Sequence, residues 1–157
     1  MKKKSLLLLL VFISTYAISQ SKTETTNSSK EYNLLSLTGG MAAMLTYNTY
    51  GYIGAISDGF VKNYYDSSLT NTVMTEQINF CKIIGDMLDK AINEKAFTDT
   101  NDISTMQEVK NILIGLSKQA QFAKTYTIAR SESASINFDE QRKANWEQIK
   151  KLLNLKD

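Results

Sequence analysis

The chain has 157 residues, with 18 basic and 16 acidic side chains, a formal charge of +2, one cysteine and neither histidine nor proline. Without histidine the usual triads, zinc sites and imidazole acid–base schemes lose their commonest member. A single cysteine excludes an internal disulfide, and the near balance of charge excludes a broad nucleic-acid footprint.

Lys2, Lys3 and Lys4 precede an unbroken apolar run over residues 6–13, followed by Ala17-Ile18-Ser19. A basic start, a short apolar core and small residues at the exit predict a secretory signal over residues 1–19, cleaved before Gln20. The apolar run is too short for a stable membrane span, so an uncleaved anchor is the lesser reading. Three of the 18 basic residues leave with the signal, and 15 then face 16 acidic ones, a net charge of −1. The basic excess is thus a targeting feature. The expected location is outside the cytoplasm, in the periplasm or the extracellular space.

About 138 residues remain, enough for one domain with its own core. Residues 20–30 contain no large apolar side chain and read as a disordered spacer. The domain proper is expected over residues 31–157.

Helix one is predicted over residues 32–65, the helix on which the remainder packs. Between Glu31 and Asp58 no residue carries a charge at neutral pH. Placed at 100° intervals, Leu34, Thr38, Met41, Ala42, Leu45, Thr49, Tyr52, Ile53, Ile56 and Phe60 form the expected core stripe. The opposite face holds Gly40, Ala43, Tyr47, Gly51, Gly54, Asp58, Val61 and Tyr65, where a solvated helix would carry Lys and Glu. Each interior glycine costs roughly 1 kcal/mol of helix propensity relative to alanine, so close approach of another group should offset it. The favoured explanation is burial on both sides within the bundle. A partner or self-association surface comes second. Membrane insertion comes last, because Asn33, Ser36, Thr46, Asn48 and Thr49 make the segment too polar. The candidate contact face comprises Tyr47, Asn48, Tyr50, Gly51, Gly54 and Asp58.

Asp66-Ser67-Ser68 should end helix one. Helix two is expected over residues 70–96, with Val73, Phe80, Ile84, Met87 and Ala91 in one apolar row and Met74, Ile78, Cys81, Leu88 and Ile92 in the next. Cys81 reads as a small buried hydrophobe. After a polar connection, Asp102, Ser104 and Thr105 are candidate caps, and Ser104-x-x-Gln107 and Thr105-x-x-Glu108 both match a capping box. Helix three then runs to about Arg130, with Met106, Val109, Leu113, Leu116, Ala120 and Ala123 as a bundle seam. Asn137-x-x-Glu140 is the expected cap of helix four, which runs to about Leu155. Its inner face is Phe138, Arg142, Trp146, Ile149 and Leu153. A guanidinium in an apolar row needs a carboxylate or an aromatic face, so Arg142 is expected either to form a buried ion pair with Asp58 or to extend to water. No strand pattern occurs. The fold class is all-α, an antiparallel four-helix bundle after a cleaved signal peptide.

No catalytic constellation is legible. Asp86 and Asp89 lie among lysines on a solvated face, and Asp139 and Glu140 suit a first helical turn. Neither Gly39-Gly40 nor Gly51-x-x-Gly54 follows a strand, so no phosphate loop is supported. No cofactor and no metal are expected. The segments YNTYGYIGAISDGFVKNYYD (residues 47–66) and QRKANWEQIKKLL (residues 141–153) resemble small exported helical proteins of bacteria that lack an assigned activity. That resemblance implies only an exported helical domain. The leading expectation is a non-catalytic interaction protein with an unknown protein partner. A self-assembling or membrane-associated accessory component, and an immunity or inhibitor protein, are the alternatives.

Overall fold

The structure, a computed structural model, describes residues 27–155. Four helices make up those residues, with no strand among them: α1 (Asn27–Val61), α2 (Ser67–Asn93), α3 (Thr100–Ala129) and α4 (Glu132–Leu153). The expected signal peptide lies outside the described residues. The last four residues of the expected spacer, 27–30, belong to α1 instead. The packed unit begins at residue 35.

Local chemistry fixes the helix ends. Asp66 caps α2 by accepting from the Leu69 amide at 2.7 Å. Asp99 caps α3 by accepting from the Asn101 amide at 2.7 Å, and Ser131 caps α4 by accepting from the Ala134 amide at 3.3 Å. Three expected boundaries are thereby corrected. Asp66 opens α2 rather than closing α1. Ser104, Thr105 and Asn137 lie inside helices, because acceptable caps occur one turn or more earlier and the intervening residues are good enough helix formers to extend the helix back to them. In a chain without proline, left-handed residues stop the helices. Asn63, Lys95, Arg130 and Asn154 adopt φ between 44° and 58° just after the four helix ends.

Side-chain bonds set the packing order. Lys124 reaches Thr75, Thr127 donates to Asn71 at 2.7 Å, and Lys110 pairs with Asp89, so α2 and α3 run antiparallel. Asn145 donates to Gln119 at 2.8 Å and Lys151 pairs with Glu108, so α3 and α4 do the same. Asp58 meets Arg142 and Tyr50 meets Trp146, which sets α1 antiparallel beside α4. The result is an up-down-up-down four-helix bundle.

The central helix is α3, not α1 as the uncharged segment suggested. Val109, Ile112, Leu113, Leu116, Ala120 and Ala123 form the largest share of the buried cluster, against Ile53 and Ile56 of α1, Val73, Met74 and Cys81 of α2, and Ile149 of α4. Burying a side chain such as Leu116 or Ile149 contributes about 2 kcal/mol. Gly115 admits the α4 side chains closely: a Cβ there would overlap Asn145 Oδ1. Around that glycine an amide chain runs from half-buried Gln141 through buried Asn145 to buried Gln119. Gln119 Nε2, fully buried, has no partner of its own.

Candidate contact face

The polar residues of α1 divide by what they can do without water. Thr46 and Ser57 face the core and are buried. Their hydroxyls donate back to the carbonyls of Ala43 and Ile53, each at 2.8 Å, so burial leaves neither donor orphaned. With Thr49, Ile53, Ile56 and Phe60 they make the inward arc. That arc is rotated by roughly 50° from the stripe expected from the sequence wheel, and shares Thr49, Ile53, Ile56 and Phe60 with it. Met41 and Tyr52, both assigned to the core stripe, are 55% and 46% exposed.

The outward arc is continuous. Leu37, Gly40, Met41, Met44, Asn48, Gly51, Tyr52 and Ala55 are all exposed and fall within about 120° of the helix circumference. None is charged. Gly40 and Gly51 have no atom near the place a Cβ would occupy. Burial of α1 on both sides is therefore corrected: one side packs, and the other meets water.

The six residues expected to form a contact face fall into two groups. Tyr47, Asn48 and Gly51 face outward. Tyr50, Gly54 and Asp58 are occupied inside the chain. Tyr50 stacks on Trp146 with ring centroids 5.5 Å apart, and Tyr47 tilts against the same indole at 6.3 Å. Gly54 is buried beneath Arg142, whose guanidinium would lie 3.2 Å from a Cβ there. Arg142 donates to both Asp58 oxygens, at 3.0 and 3.3 Å. The hydrogen bond to Asp58 is the main reason the guanidinium is held above its ordinary value, and Tyr50 adds to it. This pair was expected to be buried, but the Arg142 and Asp58 side chains are 33% and 48% exposed. Its fork geometry positions α4 on α1, and its contribution to stability is about 1 kcal/mol or less.

A shallow depression on this face is lined by Tyr47, Asn48, Tyr50, Gly51, Tyr52 and Trp146, among others. A second cavity of about 340 Å³, which the sequence did not reveal, lies at the end of the bundle beside Phe60, Tyr126 and Phe138. Much of its polar lining is already engaged. Thr70 donates to the Asp66 carbonyl, Thr127 to Asn71, and Asp58 holds Arg142. Arg130 covers Phe60 at 4.7 Å, and Tyr126 meets that ring edge-on.

Cys81 is buried, and burial pushes its thiol up to about 12. It is neither a nucleophile at neutral pH nor placed for an intermolecular bridge. Among the described residues no cluster of three or more His, Cys, Asp or Glu is placed to hold a metal ion. No described helix is long and apolar enough to cross a membrane.

Fold and face together define an all-α bundle with one unusually uncharged, outward-facing helix strip. No family model, no curated protein and no solved structure matches the chain.

Proposed function

We propose that this is an exported, non-catalytic interaction protein whose contact face is the outward strip of α1. One observation carries the reading. Leu37, Met41, Met44, Tyr47 and Tyr52 are 43–59% exposed along one helix face that bears no charge. Contiguous exposed apolar surface on a water-soluble domain marks an association site, since leaving it in water forgoes favourable burial. Methionines suit such a surface, because their unbranched side chains adapt to a partner's shape. The basic start and short apolar run over residues 2–13 support export.

Site-directed photo-crosslinking in the producing cell tests the face. A photoreactive side chain in place of Asn48 should give discrete adducts, and the same group in place of Asn79, exposed on α2, should not. Equal yields at the two positions would overturn the assignment. N-terminal sequencing of the same material tests export: a chain beginning at Gln20 supports it, and a retained Lys2–Lys4 start removes it.

A further inference from the structure

Resting on that assignment, we infer that the occupant of the α1 strip is the same strip of a second copy, packed antiparallel about a two-fold axis near residue 46. The order of large and small residues carries the inference. About that centre, Leu37 of one copy faces Ala55 of the other, and Met41 faces Gly51. Gly40 faces Tyr52, and Met44 faces Asn48. All eight are exposed in the single chain. In each pair a larger side chain meets a smaller one. The strip is therefore its own complement, as an isologous interface requires. Knob-against-gap pairing also lets two helix axes approach to the 8–10 Å of ordinary helix packing.

The available area is adequate. From their fractional exposures, Leu37, Met41, Met44, Tyr47 and Tyr52 leave on the order of 600 Å² in water. Covered completely in two copies, these side chains would bury at most roughly 1,200 Å², the lower bound of specific interfaces, and the small residues add to it. Charge favours the same occupant. Nothing on the strip is ionised, so a second copy strands no buried charge, whereas a strongly acidic or basic partner would find nothing to pair with. A helix lying in a lipid surface would be expected to carry flanking lysines and arginines. Here residues 31–61 contain neither lysine nor arginine, and Lys30 and Lys62 stand at the two ends, so flotation with liposomes separates lipid from a second copy.

Sedimentation equilibrium of the full chain, from micromolar to near-millimolar concentration, reads the outcome. The unaltered chain should dimerise. Met44→Glu, at an exposed position that leaves the bundle intact by circular dichroism, should weaken the dimer at least about tenfold. Met41→Ala and Gly51→Met should each weaken it, by lost contact and by overpacking respectively, and the two together should restore it to within about threefold. Only the proposed register predicts that rescue. A chain monomeric throughout overturns the second copy. Asn48 adducts to a different protein would then preserve the contact face, and absent adducts would remove both. A dimer indifferent to Met44→Glu overturns this interface. Flotation of a monomeric chain with liposomes, abolished by Met44→Glu, overturns it in favour of lipid.

Discussion

Gly51 and Gly115 are both interior helix glycines, and they sit in opposite surroundings. At Gly115, on α3, the side-chain amide of Asn145 occupies the space a methyl group would need. At Gly51, on α1, nothing lies within 4 Å. The same propensity cost is offset at the α3–α4 seam by a neighbour within the chain. On the α1 strip no such neighbour is present. A glycine in a helix therefore signals close approach only when the chain itself supplies the approaching group. Where it does not, the residue points outward to an association or carries no packing benefit.

The widest test of this contrast compares Leu116 with Met44. Leu116→Ala should cost about 3 kcal/mol in denaturant unfolding, because a fully buried side chain leaves a cavity in the α3 seam. Met44→Ala, at a residue 56% exposed, should change the unfolding free energy of dilute protein by less than about 0.5 kcal/mol. Comparable losses at the two sites would mean that the α1 strip is covered within the monomer.

Next in size is Gly115→Ala. Alanine gains about 1 kcal/mol of helix propensity, yet the displaced Asn145 amide and the strained seam should make the net effect destabilising by about 1–2 kcal/mol. In a Gly115→Ala/Asn145→Ala chain the clash is gone, so the double change should cost less than the sum of the two single ones. Strict additivity in that cycle would show that Gly115 and Asn145 do not meet.

A smaller effect sharpens the picture of the seam's other side. The Cys81 thiol is raised from about 9 to about 12 by burial. Below pH 9 both folded and unfolded chains keep the proton. Between about 9 and 12 the unfolded chain releases it while the folded chain retains it, so stability falls as pH rises through that window. Cys81→Ala should have a shallower alkaline loss than the parent chain, read as the difference between two unfolding series. Identical slopes would mean that the thiol is not buried against the α3 residues.

What the sequence made legible follows from this division. The row Met106, Val109, Leu113, Leu116, Ala120 and Ala123 was recognisable by spacing, and all six residues are buried. Helix starts were harder, because several residues near each start can accept a backbone hydrogen bond, and tertiary packing decides how far the helix extends past them. The orientation of α1 is not legible for a different reason. Absence of charge does not distinguish burial from an apolar exposed face, and Thr46 and Ser57 satisfy their own hydroxyls inside the helix, so polarity did not mark the solvated side. Asn145 was invisible as a core residue because its partner, Gln119, is 26 positions away, and no local pattern pairs them. The strip residues Leu37 and Met44 carry no signal singly, since an isolated apolar residue on a surface is ordinary. Their meaning lies in being contiguous.

Gly51→Ala should have a small effect and separates the two explanations of that glycine most directly. In dilute protein nothing obstructs the added methyl group, so α1 should gain helix propensity and the domain should become more stable by about 0.5–1 kcal/mol. At high concentration the same methyl group would press on Met41 of a second copy, and dimerisation should weaken. A single substitution would then raise monomer stability while lowering association, two readouts with opposite signs. A loss of stability in dilute protein would place an unseen neighbour of the same chain over Gly51. Greater stability with unchanged association would leave the glycine without a packing role at any concentration.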